Sequence, residues 1–374
     1  MYIIFLILEF NLVFALYSIP VTLAQMKETP NQAESEIPAY LCFAYAEKIL
    51  IPKFVKQPNS MYFKSGMKND VFGIADMIES KQYNFLLPEG QWPDNKSCNG
   101  KKEKKCAIII NYSIKIVYNI YIYNINYIFY LHIHSTNFFI GVISMLHYLL
   151  GTSKYKNNKK LVLHADNCSG QNKNKWLIWY LHYRTMIGLN EEIEYLFLIA
   201  GHTKCFCDAC FGMLKRFIKK HDITSPQVLK DLINQSSKAN EGNVIIPSQV
   251  QWIDWKQYLE QIYSEAVPSI SNQHLFFLKK ILGTEFLMKE NSSKEPSSFC
   301  PMRTEIAESL NGVITDEQLC FLDSLYPYTH PDYELQNASL EKLYGKITRR
   351  QQLENLAKDY LPVELRSAFL QTIV

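Results

Sequence analysis

Two aspartates follow apolar runs of the chain at positions where proteins commonly bind divalent metal ions. Asp166 comes directly after the apolar run 160–165, and Asp208 begins a helical pattern shortly after the next apolar run, 193–200. Ligand sites in α/β sheets lie at the carboxyl ends of the strands. If the two runs are parallel neighbours, the two carboxylates converge on one edge of the sheet. Two carboxylates that close repel unless a cation neutralises them, and oxygen ligands predict Mg²⁺ or Mn²⁺.

Both segments also allow simpler interpretations. Asp166 is followed by turn-forming residues, so its carboxylate could form an Asx turn or cap the helix that begins near Trp176. In the second segment, four residues have spacings that resemble a compact zinc site. These are His202, Cys205, Cys207 and Cys210. Four ligands within nine residues is tight for zinc, and ordinary thiols are the alternative.

The elements needed to position these residues can be predicted from hydrophobic periodicity and β propensity. Short β-prone runs precede an alternation of helices and strands, and a helix with one apolar face follows. The expected strands are 40–45, 61–64, 72–77, 83–87, 160–165 and 193–200. The expected helices are 142–150, 176–187, which ends before Gly188, and 208–220. This order predicts an α/β protein with a mixed sheet flanked by helices.

Other parts of the chain look like additions to a core at 39–220. The stretch Ala107 to Ile140 contains no Asp, Glu, Gly, Pro, Arg or Gln, which is typical of a translated intron, and we expect 95–141 to be a low-complexity insertion. Its recurring asparagines argue against a membrane span. Residues 221–330 look like a small appended subdomain. Residues 331–374 predict a helical tail, with a helix over Leu340 to Leu361.

Composition limits the compartment and the partners. Of the 374 residues 48% are hydrophobic, and the net charge is only +3, so charge alone does not predict nucleic-acid binding. Nine scattered cysteines favour a reducing compartment, hence the nucleus or the cytoplasm. Residues 1–38 look like a leader, and an artefactual start of the gene remains the alternative to a signal or anchor at 1–24, which would direct the chain to the secretory pathway or a membrane. No motif predicts a small-molecule cofactor.

Two motifs resemble a family of transposon-derived proteins related to RNase H-like transposases and integrases. The first is His164-Ala-Asp-Asn-Cys-Ser-Gly-Gln-Asn-Lys-Asn174, and the second is Gly201-His-Thr-Lys204 followed by Asp208, Cys210, Phe211 and Gly212. The resemblance implies an RNase H-like fold and divalent-metal-dependent phosphoryl transfer on DNA. It assigns metal binding to Asp166 and Asp208, and a role in orienting phosphate or water to His202 and Lys204.

The resemblance also implies a third acid on the first strand, where this chain departs from the pattern. The family reads roughly Phe-Asp-Tyr-Ala-Gln, and this chain reads Phe43-Ala-Tyr-Ala-Glu47. Two-metal catalysis needs a bridging carboxylate, which Ala44 lacks. Strand alternation predicts that Glu47 faces away from position 44 and cannot substitute. We therefore expect an inactive relic of an ancestral nuclease or polynucleotidyl transferase.

The alternative to a relic enzyme is a binding module for nucleic acid or protein, or a zinc module at 202–210. Local Lys and Arg residues near the two motifs are candidates for phosphate contacts with DNA. These are Lys173, Lys175, Lys215 and Arg216.

Overall fold

The computed structural model describes residues 38–91, 138–168, 172–197, 205–291, 294–310, 343–344 and 347–371. The strands are β1 (Ala39–Tyr45), β2 (Ile49–Ile51), β3 (Met67–Asp76), β4 (Lys81–Pro88), β5 (Lys160–Ala165), β6 (Glu192–Phe197), β7 (Val244–Ile245), β8 (Leu275–Lys279), β9 (Phe286–Lys289), β10 (Ser297–Phe299), β11 (Leu343–Tyr344) and β12 (Ile347–Thr348). The helices are α1 (Phe138–Leu150), α2 (Lys175–Met186), α3 (Phe206–Ile218), α4 (Pro226–Gln235), α5 (Trp255–Ile262), α6 (Thr304–Leu310), α7 (Arg349–Tyr360) and α8 (Val363–Leu370).

The strands β1 to β10 form one mixed sheet of ten strands. Its order is β10-β9-β8-β6-β5-β1-β3-β4-β7, and β2 pairs with the start of β3. β1, β5 and β6 are parallel neighbours. β3 runs antiparallel to β1, β4 antiparallel to β3, and β8 antiparallel to β6. The chain is therefore an α/β protein with a mixed sheet flanked by helices, as the sequence predicts.

The side chains of the central strand β1 point alternately toward two different layers of helices. Leu41 and Phe43 join the larger core, while Cys42 and Ala44 lie on the opposite face. Because β1 is covered on both faces, its sequence Ala-Tyr-Leu-Cys-Phe-Ala-Tyr is apolar almost throughout.

The first face is covered by α1, α2 and α5, and its core is rich in aromatic rings. Phe43 stacks on Tyr195 of β6 with ring centroids 6.1 Å apart. Farther from the sheet, Trp179 of α2 stacks on Tyr263 at 5.4 Å. Such rings bury large apolar areas, so this layer supplies much of the stability of the fold.

The second face is covered by α3, α4, α7 and α8, whose core is mainly aliphatic. Arg349, at the start of α7, joins the C-terminal helices to the sheet. Its Nε donates to Glu89 of the β4 end at 2.9 Å, and its Nη2 donates to the carbonyl of Gly66 at 2.7 Å. The ion pair is buried, with the two side chains 3% and 11% exposed.

Most of the expected elements are confirmed, with two corrections. The run 61–64 was expected as a strand, but Asn59–Phe63 forms a 3-10 turn in which Lys64 donates to the carbonyl of Met61. The helix expected over Leu340 to Leu361 begins instead at Arg349, where Thr348 provides the N-cap. Gly188 ends α2 as expected, with φ at +76°.

The expected additions to the core have different outcomes. Within 221–330, β8 to β10 extend the sheet beyond β6, and β7 extends it beyond β4, so this stretch shares the sheet with residues 39–220. Residues 138–141 of the expected insertion belong to α1; residues 95–137, like 1–37 of the leader, lie outside the described residues. No helix in the described part of the chain has both the length and the apolar character that a bilayer crossing requires.

Candidate functional site at the carboxyl edge of the sheet

Asp166 directly follows β5, and its side chain accepts hydrogen bonds from the loop that comes after the strand. Its Oδ1 accepts hydrogen bonds from the backbone N–H of Cys168 at 3.2 Å and from Nδ2 of Asn172. Asn172 is buried, and its carbonyl accepts from the hydroxyl of Tyr195 at 2.8 Å. The helix cap expected of Asp166 is instead provided by Asn174, which accepts from Leu177 N–H. Asp166 therefore forms the expected Asx turn, with its side chain held at the carboxyl end of β5.

Position 44 lies beside Asp166 in the sheet. In the parallel pairing of β1 with β5, Phe43 is opposite Ala165, so the next residues along the two strands are 44 and 166. On its other side Ala44 pairs with Gly73 of β3. Ala44 is 9% exposed and packs with Cys42, Ala75 and Cys207. A methyl group therefore occupies the central-strand position next to Asp166.

Asp208 lies in the first turn of α3, as the sequence predicts. Its Oδ2 accepts from the backbone N–H of Cys205 at 2.8 Å, which caps the helix. The adjacent Cys207 fixes this turn on the sheet, because its thiol donates to the carbonyl of Cys42 at 3.3 Å. The first turn of α3 therefore lies on the face of β1 that carries positions 42 and 44.

Glu47 does not follow the alternation expected from the sequence. β1 ends at Tyr45, and the carboxylate of Glu47 forms an ion pair with Lys215 of α3, so it lies on the α3 side of the sheet. The side chain of Glu47 is 77% exposed, and the hydrogen bond from Lys215 lowers its pKa. Asp208 and Lys215 are two helical turns apart. Glu47 is thus on the same side of the sheet as Asp208, in an ion pair with a lysine two helical turns farther along α3.

Three cysteines meet between β1 and the start of α3. Each pair of Sγ atoms in this set lies within 4.8 Å, and the described residues contain no other group of three or more Cys, His, Asp or Glu side chains with metal-ligand spacing. We call this set the thiol cluster: Cys42, Cys205 and Cys207. Cys42 and Cys207 are buried, with their Sγ atoms 3.6 Å apart. Neither Asp166 nor Asp208 belongs to the cluster.

The thiol cluster differs in its members from the alternative zinc site at 202–210, of which His202 lies outside the described residues. Cys205 and Cys207 do come together, but the third member is Cys42, 165 residues before Cys207. Cys210 is buried one turn farther along α3 and is not in the cluster. The sequence signal that could have identified Cys42 is its place two residues before Ala44, on the same face of β1.

The thiols of the cluster influence one another's ionisation. Hydrogen bonds from Cys205 and Cys207 hold the pKa of Cys42 well below its usual range. Burial raises the pKa of Cys207 well above its own usual range. The two neighbouring thiols therefore favour the deprotonated form of Cys42, which its burial opposes.

His164 lies next to the thiol cluster on β5. It pairs with Cys42 in the register of β1 and β5, so the two side chains lie on the same face. His164 is 2% exposed, and its Nε2 has no hydrogen-bond partner among the described residues. Burial lowers the pKa of His164 to about 4, opposed by the nearby Cys205. The imidazole is neutral at pH 7.

The basic residues expected to bind DNA are in different environments. Lys173 is 2% exposed, its Nζ donates to the carbonyl of Ser271 at 2.8 Å, and burial lowers its pKa to about 8. The expectation of a surface phosphate contact is corrected there, because the amine is buried against Ser271 and the ring of Phe197. Lys175 lies over the ring of Trp179 at 4.6 Å. Lys215 and Arg216 are exposed on α3.

A cavity of about 560 Å³ runs between α3 and the connection from β1 to β2. Asp208 and Phe211 line one side, and residues 45–50 with Pro52 line the other. Five lysines line it as well: Lys48, Lys53, Lys64, Lys215 and Lys219. We call it the lysine groove. His202 and Lys204, which were expected beside the carboxylates, lie outside the described residues.

A family model described as a domain of unknown function, DUF7869, matches residues 99–295 of the 374-residue chain. The matched segment includes β5, β6 and the start of α3, hence Asp166, Asp208, Cys205 and Cys207. Ala44 and Cys42 precede it. No curated protein matches the chain.

Proposed function

The chain belongs to the DUF7869 family, and from that premise we propose that it is a transposon-derived, RNase H-like domain of the transposase and integrase type that has lost phosphoryl transfer. The observation that carries the proposal is the register of β1 against β5. It puts the methyl group of Ala44 beside Asp166, where the resemblance implies a carboxylate.

The order and direction of five strands support the RNase H-like assignment. β1, β3 and β4 are successive antiparallel strands, and β5 and β6 are parallel to β1 on its other side. This gives the order β4-β3-β1-β5-β6, with α1 before β5, α2 between β5 and β6, and α3 afterwards. It is the three-strand start followed by alternating helices and strands that the resemblance implies.

The side chains present do not make a complete two-metal site. Asp166 and Asp208 offer oxygen donors of the kind Mg²⁺ and Mn²⁺ prefer. However, both carboxylates already accept backbone N–H hydrogen bonds. A two-metal site also needs a bridging carboxylate. Position 44 cannot supply one, and Glu47 is paired with Lys215. Any metal bound by the two aspartates therefore lacks the bridge that phosphoryl transfer requires.

Binding of DNA without cleavage is the function that such a domain can retain. The lysine groove runs along α3 beside Asp208, with Lys215 on the helix and Lys219 at its C-cap. Lysines along a groove bind the phosphate backbone without reading its sequence. We therefore propose that the lysine groove holds a nucleic-acid backbone beside the degenerate acidic site.

A plasmid-nicking assay with Mg²⁺ or Mn²⁺ tests the loss of catalysis. We expect no nicking by the wild-type protein, and metal-dependent nicking by Ala44→Asp, because the substitution restores a carboxylate beside Asp166. Ala44→Asn is the matched control, since it has the same shape without the charge. The double variant Ala44→Asp/Asp166→Asn should again be inactive.

Two outcomes would contradict the proposal. Nicking by the wild-type protein that disappears in Asp166→Asn would mean that the domain is an active enzyme. A folded Ala44→Asp protein that binds Mn²⁺ and DNA but does not nick would mean that position 44 is not the missing catalytic position. Circular dichroism of each variant establishes that it is folded.

A further inference from the structure

The thiol cluster has the geometry of a site for a soft metal ion. Zn–S bonds of about 2.3 Å in a tetrahedron put bonded sulfurs about 3.8 Å apart. In the structure the sulfurs of Cys42 and Cys207 are 3.6 Å apart, and Cys205 lies within 4.8 Å of both. Thiolates select zinc over magnesium, so the cluster is chemically distinct from the carboxylates at the sheet edge.

A fourth donor of the right type lies on the neighbouring strand, outside the set of side chains whose ligand atoms lie within 4.8 Å of one another. His164 is next to Cys42 in the sheet and is buried to 2% exposure. A buried polar atom without a partner costs free energy, so the unpartnered Nε2 of His164 calls for an explanation. Coordination of a metal through this nitrogen provides one, because imidazole is a common zinc ligand.

We propose that the thiol cluster binds one Zn²⁺ ion through three sulfurs, and that the side chain of His164 turns toward the ion to supply a nitrogen as the fourth ligand of a tetrahedral site. The ligands come from β1, β5 and the first turn of α3. Two of them belong to the start of α3, where the helix dipole stabilises negative charge on sulfur. Cys42 and Cys207 are buried, as in closed structural zinc sites, whereas Cys205 is partly exposed on the side from which the ion can enter.

The proposed zinc site lies next to the edge of the sheet at which Asp166 follows β5. Cys42 and His164 come two residues before Ala44 and Asp166 on their respective strands, on the same face. A bound ion therefore ties the two central strands to the turn that carries Asp208. The zinc proposal does not depend on the proposed loss of phosphoryl transfer, because its ligands do not include Ala44, Asp166 or Asp208.

Metal analysis of the full-length chain tests the proposal. The protein is purified in reducing buffer without chelator, and we expect one zinc per chain. Replacement of zinc by Co²⁺ should give the thiolate-to-cobalt charge-transfer absorption and the visible bands of a tetrahedral ion. Cys42→Ser and Cys207→Ser should lose the stoichiometric zinc, and His164→Ala should shift the cobalt bands and weaken binding.

Cys210→Ser is the matched control, since Cys210 is a buried thiol on the same helix outside the cluster. It should keep the zinc. The cobalt spectrum of the wild-type protein needs no variant, so poor folding of a serine variant does not obscure the result. Three outcomes would overturn the proposal: wild-type protein without zinc or cobalt binding, a Cys42–Cys207 disulfide in protein purified under reductant, or loss of zinc in Cys210→Ser with retention in Cys42→Ser.

Discussion

The two faces of the central strand β1 are built from side chains of very different size. On one face Leu41 and Phe43 join a core of stacked and edge-on aromatic rings from α1, α2 and α5. On the other face Cys42 and Ala44 lie under α3, next to the small residues Gly73 and Ala75 of β3. We call these the aromatic face and the small-residue face.

Because of this size difference, one face mainly stabilises the fold and the other carries the candidate functional side chains. Large rings fill the aromatic face and pack closely against one another. Small residues on the other face allow the first turn of α3 to approach the sheet so closely that the thiol of Cys207 reaches the carbonyls of Cys42 and Gly73, at 3.3 and 3.6 Å. The thiols and both candidate acids consequently lie on one side of the sheet or at its edge.

The largest expected effect is loss of stability when the aromatic face is truncated. Phe43→Ala should lower the free energy of unfolding by about 3–5 kcal/mol, because it leaves a cavity between Phe72 and Tyr195. Cys42→Ala, measured with a chelator present, should cost only about 1 kcal/mol, the worth of one buried heavy atom. Urea denaturation gives both values. Equal losses of unfolding free energy in the two variants would mean that the two faces contribute equally to stability.

Protonation should also destabilise the aromatic face. His182 is buried there, bonded to the hydroxyl of Tyr263 at 3.1 Å and the carbonyl of Gly283 at 3.2 Å, and burial lowers its pKa to about 4. An unfolded histidine titrates near 6.5. Between those values the unfolded chain binds more protons than the folded chain, so stability falls as the pH falls.

The size of this effect can be measured by substitution. From pH 7.5 to pH 5 the histidine should account for about 2 kcal/mol of lost stability. His182→Gln should remove that part of the pH dependence. Comparing the variant with wild type at pH 7.5, where the imidazole is neutral, separates the packing cost of the substitution from proton binding. An unchanged acid limb in the variant would mean that His182 is already protonated in the fold.

The close approach of α3 predicts a smaller effect at Gly73. A Cβ added there would lie 2.7 Å from Cζ of Phe211 and 2.9 Å from Cδ of Gln82. Gly73→Ala should therefore cost about 1–3 kcal/mol through overpacking. Gly212→Ala is the matched control in α3, because its added Cβ meets nothing within 4 Å. It should stabilise the helix by about 1 kcal/mol. If both variants are more stable than wild type, α3 is not packed tightly against the sheet at Gly73.

Local patterns predicted the elements but not their long-range partners. The strand 160–165 and the helix start at Asp208 follow from runs of apolar residues and their spacing, which are local properties. The cluster partner of Cys207 is 165 residues away, and only the pairing of β1 with β5 and α3 brings them together. For the same reason the sequence predicts an appended subdomain at 221–330, although β8 pairs with β6 inside the sheet.

Errors at single residues came from local rules applied beyond their range. Strand alternation was extended to Glu47, but β1 ends at Tyr45, so the rule no longer applied there. The polar loop around Lys173 predicts a surface cation, yet its side chain is buried against Ser271 and Phe197, with Nζ 5.0 Å from the Phe197 ring centroid. In both cases tertiary structure decides the environment of the charge.

The smallest expected effect concerns charge on the small-residue side of the molecule. Lys215→Ala breaks an ion pair with Glu47 in which both side chains are largely exposed, so the free energy of unfolding should change by no more than about 1 kcal/mol. Binding to DNA should respond more clearly. Removal of one phosphate contact from the lysine groove should lower the slope of log affinity against log salt by about 1.

A lysine elsewhere in the chain provides the control for this measurement. Lys294 forms an ion pair with Glu290 beside the edge strands β9 and β10, away from the lysine groove. Lys294→Ala removes the same charge, so any general effect of net charge on DNA affinity should appear in both variants. A reduced salt slope in Lys215→Ala alone would assign nucleic-acid contact to the α3 side of the sheet. Equal slopes in the two variants would mean that the groove does not bind the phosphate backbone, and the small-residue face would then be distinguished by its thiols alone.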